Sequence, residues 1–219
     1  MTGSSLDATE LVVRTIAETA IANEQYFAEL DGVVGDGDFG ISLASGFSKL
    51  LDEWPSLNRS NPGSVLKGVS MVIASRVGGV SGALWGTAFL RAGVVAGDKQ
   101  QLNTDDVIAM LTAAIEGMKK RGQSDVGDKT LLDALVPATH EFARTLQQGD
   151  NTLAALRNAS KVARDKTEEI KMWVAKRGRA VYSGDRSRGT YDAGSVAVAV
   201  IAEKLAEAWD QTSERETNR

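Results

Sequence analysis

Three observations on this 219-residue chain predict an all-α fold. Apolar positions recur at alternating steps of three and four, the spacing that lines one face of a helix. No segment shows a period-two alternation bounded by hairpin turns. Glycines and charges gather in four connections, 31–40, 77–82, 121–130 and 176–194, which leave helical stretches between them.

In chain order, Val13, Ile16, Ala20, Asn23, Phe27 and Leu30 line one face of a helix that opens near Asp7, where Asp7 and Glu10 resemble a capping box. A second helix is expected over 40–54. Asn61-Pro62 starts the third, with Asn as N-cap and Pro at the first helical position. Further helices are expected over 81–96, 104–120 and 130–148. Leu153, Leu156, Ser160, Ala163, Thr167 and Ile170 mark the next, capped by Asn151 or Thr152. AGSVAVAVIA, 193–202, fits a buried helix or a strand, and its continuation into EKLAEAW favours helix over 194–213. The expected architecture is eight helices in one domain over 1–219. Alternate connections then fall on one rim, where a ligand would sit.

Composition narrows the function. The absence of Cys removes disulfides, thiolate metal sites and cysteine nucleophiles, and suits a reducing compartment, so a cytoplasmic location is expected. The start, MTGSSLDATE, lacks a basic region followed by an apolar one, and runs such as Val196–Ala202 are too short to span a bilayer, so no membrane role is expected. A net charge of -4 with 5% aromatics argues against a nucleic-acid surface. A small molecule or another protein is the expected partner.

GDGDFG, Gly35–Gly40, admits three readings that fail. A dinucleotide loop needs a strand before it, and an amphipathic helix stands there instead. The kinase Asp-Phe-Gly needs an upstream catalytic loop and a strand lysine, and neither precedes it. A calcium loop beginning at Asp36 or Asp31 needs Glu at position 12 but meets Phe47 or Ser42. What survives is a Gly-rich turn carrying Asp31, Asp36 and Asp38 just before a helix. Hard oxygen ligands suit Mg²⁺, and the helix start at Phe39, Gly40, Ile41 and Ser42 offers N–H groups to an anion. The plain alternative is that Asp and Gly are common turn residues.

Three further connections favour a phosphate ligand. GGVSG, Gly78–Gly82, leads into a helix with Ser81 free to cap it or to bind phosphate. GDKT, Gly127–Thr130, opens another, where Asp128 or Thr130 can serve as N-cap. The last connection sets Lys176, Arg177, Arg179, Arg186 and Arg188 among glycines in an acidic chain, a fitting phosphate clamp or a solvated face. His140, the single histidine, reads as an ordinary helix residue, and Trp54, Trp85, Trp173 and Trp209 read as packing.

Four segments carry a resemblance. LDGVVGDGDFGISLASGF is similar to LD-x-x-IGD-x-DHG-x-N-x-x-RGF, a signature of the nucleotide-binding L subunit (DhaL) family of dihydroxyacetone kinase. RVGGVSGALWGTAFLRAG, VGDKTLLDALVPA and the stretch from Gly178 to Ser195, which ends in YSGDRSRGTYDAGS, resemble the family's other segments in the same order and spacing. The resemblance implies an eight-helix antiparallel barrel with nucleotide at one rim. It implies that Asp31, Asp36 and Asp38 hold two Mg²⁺ ions against the phosphates of ADP or ATP. Phosphate contacts are implied from Phe39, Gly40, Ile41, Ser42, Val80 and Ser81, contacts near the base from Gly122 and Leu131, and a clamp from Arg179, Asp192, Ala193 and Gly194. A short ketose would be held on a separate K-type subunit, and a phosphotransferase-system protein could rephosphorylate bound ADP, or ATP could exchange each cycle. A homodimer is a further expectation. Phe39 replaces the motif His, Ser42 the Asn, Ser45 the Arg, Thr190 the His of the last segment and Ala193 the Pro. The rival readings are a nucleotide-sensing regulatory subunit without phosphoryl transfer and an all-α scaffold whose Asp and Gly residues form turns only.

Overall fold

The computed structural model describes residues 4–217, and every regular element among them is helical. In order these are α1 (Ser5–Ala22), α2 (Glu24–Gly32), α3 (Phe39–Glu53), α4 (Pro62–Arg76), α5 (Gly79–Ala96), α6 (Thr104–Gly122), α7 (Leu131–Gln147), α8 (Thr152–Ile170) and α9 (Ala193–Thr217), with 3₁₀ segments at Trp54–Ser56 and Arg179–Ser187. Sequence neighbours are also spatial neighbours. α1 and α2 pack on α3, the chain proceeds pairwise to α9, and α9 returns to α1, closing a ring.

The predicted first helix is two. Asn23 Nδ2 donates to Thr19 O at 2.8 Å, a side-chain bond that competes with the helical ladder, and the backbone leaves helical values at φ -111°. Counted as one interrupted rod, α1 and α2 bring the total to the expected eight. The first helix also starts earlier than expected. Ser4 is extended and caps it, its Oγ accepting from Asp7 N at 3.2 Å while Asp7 Oδ2 accepts from Ser4 N at 3.0 Å. Asp7 is therefore the far half of the capping box, and Glu10 has no part in it. Asn61, Thr130 and Asn151 cap α4, α7 and α8.

Phe27, Leu43, Phe47, Leu50, Val65, Val69 and Ile73 fill the main core, each such large side chain contributing about 1.5–3 kcal/mol on burial. The ambiguous AGSVAVAVIA is the start of α9. It meets α1, α2, α7 and α8, so a sequence apolar on every side is buried on every side. Small residues let α7, α8 and α9 approach closely at Ala134, Ala138, Ala159, Ala163 and Ala199. Among the described residues α5 alone is long and apolar enough by length and composition to cross a bilayer, at mean hydropathy 1.2. Its glycines instead close against α4, where a Cβ on Gly86 would lie 2.8 Å from that of Ala74.

Trp54 is buried with the Arg14 guanidinium 5.3 Å from its ring centroid, and Trp85 meets Phe47 edge-on, as expected of packing residues. His140 is an exposed residue of α7.

Candidate functional site

The loop from α2 to α3 is built to gather carboxylates. Val34 N and Gly35 N both turn back to Asp31 O, at 3.2 and 2.6 Å. A Cβ at Gly35 would sit 2.4 Å from Asp31 Oδ1, so only glycine lets the Asp31 side chain lie over this turn. Gly37 then takes φ +75°, and the chain enters α3 through Asp38. Asp38 stands at the N-cap yet makes no capping bond with its side chain, which leaves its carboxylate for other work. Oxygens of Asp31, Asp36 and Asp38 all lie within 4.8 Å of one another.

Such a cluster repels itself, and one cation answers it. Arg179, at the head of the second 3₁₀ segment, brings Nη1 to 2.9 Å from Asp38 Oδ1 and pairs with Asp36 as well. The side chains of Asp36, Asp38 and Arg179 are each about half exposed, at 52%, 50% and 48%. Solvent therefore reaches the cluster. Asp31 Oδ2 accepts from Phe39 N at 3.4 Å and Asp36 Oδ1 from Asp38 N at 3.5 Å, long bonds that leave further lone pairs, and three acceptor-only groups in mutual reach are the donor set that Mg²⁺ takes. The residues fit that ion.

Beside the cluster lies a cavity of about 190 Å³. Asp31 and Phe39 form one wall, Val80 and Ser81 of α5 another, and Gly122, Leu131, Arg179 and the start of α9 at Asp192, Ala193 and Gly194 the rest. All four predicted connections thus converge on one rim. The α7 and α9 starts are in contact, since a Cβ on Gly194 would lie 3.1 Å from that of Leu131. Ser81 is not the cap of α5, a place taken by Gly78, and among the described residues its hydroxyl has no hydrogen-bond partner. The Phe39 ring packs on Phe27 with centroids 6.1 Å apart and lines the cavity as an apolar surface. Burial, then the neighbouring Asp133 charge, pushes the Asp192 carboxyl up to about 7, although Oδ2 accepts from Ser195 N at 2.6 Å and Lys129 opposes the shift.

Not every expected contact lies here. Gly40, Ile41 and Ser42 are outside the cavity wall. Gly40 faces α2, where a Cβ would meet Glu24 O at 2.1 Å, and Ile41 is exposed. The N–H of Ser42 is already bonded to Asp38 O at 2.8 Å, as the fourth residue of a helix must be, so this group is not available to an anion as expected. Its hydroxyl remains, close to Gly78 of the facing turn. The basic run is also divided. Arg177 pairs with Asp128 at 3.7 Å and Arg188 donates to Met172 O at 3.2 Å, leaving Arg179 as the one that meets the carboxylates.

Sequence reasoning passed over Lys129. It lines the cavity, is 3% exposed, and has the left-handed φ of +61°. Its position inside GDKT was visible, but lysine normally reads as a surface residue.

A profile of the DAK2 domain matches residues 33–207. The ADP-binding subunit DhaL of the PEP-dependent dihydroxyacetone kinase of Escherichia coli is 34% identical over 182 residues, 83% of this chain and 87% of that one. The corresponding PTS-dependent subunit of Lactococcus lactis is 36% identical, over 84% of this chain and 88% of its own length. The L-erythrulose kinase of Pectobacterium atrosepticum is 30% identical over 86% of this chain, which spans 32% of that kinase. Among solved structures, the dihydroxyacetone kinase of C. freundii in complex with AMP-PNP and Mg²⁺ superimposes with a TM-score of 0.71 at 26% identity. That likeness covers 95% of this chain and about a third of the kinase, 35%.

Proposed function

Because the chain belongs to the DAK2 domain family, that of the ADP-binding L subunits of dihydroxyacetone kinase, we propose that it carries the nucleotide of a kinase for dihydroxyacetone or a related short ketose. One observation carries this reading: three carboxylates and one arginine meet at the mouth of a cavity formed by four helix-start loops.

The chain's own contribution is binding and positioning. Asp31, Asp36 and Asp38 would hold Mg²⁺, two ions in this reading, which when bound neutralise charge on the transferring phosphoryl group. Arg179 and the Ser81 hydroxyl would approach the phosphates, with the start of α5 at Val80 and Ser81 offering N–H groups beside them. Gly122, Leu131 and the Asp192–Gly194 turn border the remainder of ADP or ATP. Phe39 offers no hydrogen bond, so it contributes shape and water exclusion beside the reacting group.

The relatives are named as subunits of a kinase, which supports a separate K-type subunit as the carrier of the ketose. Val80 in the cavity wall is exposed, as are Val33, Ile41 and Tyr182 on or beside the connections that carry the carboxylates and Arg179, with Tyr182 89% exposed, and exposed apolar residues beside a polar centre suit protein docking. Tyr182→Asp is expected to reduce turnover with the partner while leaving nucleotide affinity unchanged.

The direct test is to denature the purified protein and chromatograph what it releases, before and after long dialysis with and without chelator. Near-stoichiometric ADP that only the chelator removes supports ADP as a resident cofactor replenished by a phosphotransferase-system donor. Reversible Mg-ATP binding supports ATP as co-substrate, and no binding of either overturns the proposal. The exchange of the motif His for Phe39 favours a second reading, a nucleotide sensor without transfer. Asp36→Asn separates the two, because it abolishes turnover in a kinase, whereas a sensor keeps its partner binding.

A further inference from the structure

The side chain of Lys129 is placed where no surface lysine would be. Its ammonium has three N–H donors, and all three are used: on Lys171 O and Trp173 O, each at 3.0 Å, and on Ser187 O at 2.5 Å. Among the described residues no carboxylate pairs with it. Burial holds its pKa below the usual lysine value, with Asp192 opposing and Arg188 reinforcing that shift. The backbone reaches this position in the left-handed region, a conformation that a non-glycine residue keeps only when its surroundings require it.

The three acceptors belong to the two ends of one excursion. Lys171 and Trp173 lie where α8 ends, and Ser187 closes the second 3₁₀ segment, so a single ammonium ties both feet of the loop that carries Arg177 and Arg179. Other ties are also polar, one of them at the crown itself, where Ser183 Oγ donates to Val34 O at 3.1 Å, and the rest at the base. Lys176 N donates to Asp128 O at 3.0 Å, Gly189 N to Lys171 O at 2.9 Å and Ala175 N to Ser187 Oγ at 2.9 Å. The crown of the loop buries little, with Val181 and Tyr182 exposed. Where apolar packing is slight, hydrogen bonds decide where the crown stands, and all but the single Ser183 bond lie at or near the base.

We propose that Lys129 is a positioning residue that acts through Arg179: by tying residues 171, 173 and 187 together from inside, it holds the Arg179 guanidinium against Asp36 and Asp38. The inference rests on the reading of Asp31, Asp36 and Asp38 as cation ligands. A tie that only stabilised the fold would have no consequence for metal affinity. A tie that places Arg179 sets the competition between guanidinium and metal ion for the same oxygens.

The test uses the full chain without nucleotide and Mn²⁺ as probe, titrated by electron paramagnetic resonance, on wild type, Lys129→Met, Arg179→Met and the double variant. Both single variants are expected to bind Mn²⁺ about two- to fivefold more tightly, and the double variant no more tightly than either, since both remove one competitor. Multiplying effects, or a Lys129→Met affinity equal to wild type, overturn the proposal. Hydrogen exchange supplies an independent arm. Amides of 171–189 should exchange at least tenfold faster in Lys129→Met while α3 and α4 keep their protection, and unchanged exchange overturns the proposal even if no metal binds and the cation-site reading itself falls. Should Lys129→Met not fold, Lys129→Gln, which retains two donors on a shorter side chain, replaces it with the same expected outcomes.

Discussion

Arg179 Nη1 lies 2.9 Å from Asp38 Oδ1 and pairs with Asp36 too, so one guanidinium is the counter-ion of two of the three clustered carboxylates. A metal ion entering the cluster competes with it for the same oxygens. In the proposed reading, metal binding would free this cation for the phosphates of the nucleotide, so that the same arginine would serve both states.

Arg179→Met separates these roles. Without nucleotide, Mn²⁺ affinity should rise about two- to fivefold, because a half-exposed ion pair is worth about 0.2–1 kcal/mol. Affinity for Mg-ADP should instead fall about tenfold or more, the loss of a charge-assisted contact of about 1.5–3 kcal/mol. The metal effect should shrink in high salt, which screens exposed charges. Calorimetric titration of both ligands checks this, and parallel changes in the two affinities would contradict it.

Gly40→Ala tests how the cluster is assembled. The new methyl group would meet backbone, Glu24 O at 2.1 Å and Ala28 N at 2.5 Å, and backbone cannot step aside as a flexible side chain does. α2 and α3 must separate, at a cost of about 1–3 kcal/mol. Melting temperature should fall by about 2–4 °C for each kcal/mol. Asp31 rides on α2 while Asp38 leads into α3, so the stabilisation by Mg²⁺ should fall with it. Gly32→Ala is the control, since its nearest neighbour would be 3.9 Å away. Equal melting temperatures for the two variants would refute the packing argument.

The sequence carried the local signals well. Asn61 before Pro62, Asn151 and Thr130 act as caps because a short polar side chain and an adjacent orphan N–H suffice to specify one. The Asp31, Asp36 and Asp38 group was legible because all three lie within one turn of chain. Two features were not. The break at Asn23 depends on a single side-chain bond to Thr19, which helical periodicity runs straight across. The burial of Lys129 depends on carbonyls 42 to 58 residues away, and no local pattern announces it.

Asp192 should leave a signature in acid. Its carboxyl is raised from an ordinary 3.8 to about 7 by burial first and by Asp133 second. Between those values the folded chain holds a proton that the unfolded chain has released. Rising pH therefore favours unfolding across this window, and the contribution is constant above about 7. Asp192→Asn cannot ionise, and its side-chain oxygen can still accept from Ser195 N. Thermal melts from pH 4.5 to 8 should show the wild type losing stability relative to Asp192→Asn as pH rises to about 7. Parallel profiles would mean that Asp192 is ionised throughout.

Ala193→Pro concerns the turn over the cavity. Ala193 is the first residue of α9, a position where a missing N–H leaves no helical bond unmade and a fixed φ is already suitable. The next ladder bond, Val196 N to Asp192 O at 3.1 Å, is untouched. Proline also holds the residue before it in the extended region, and Asp192 in the capping place needs that conformation. The substitution should stabilise the chain by about 0.4–1 kcal/mol, mainly by restricting the unfolded state. It should also slow nucleotide release, because the Asp192–Gly194 turn borders the cavity and proline restricts its motion. Stopped-flow displacement of a fluorescent ADP analogue measures the second effect and a thermal melt the first. Equal release rates would refute the second effect, and an unchanged melting temperature the first.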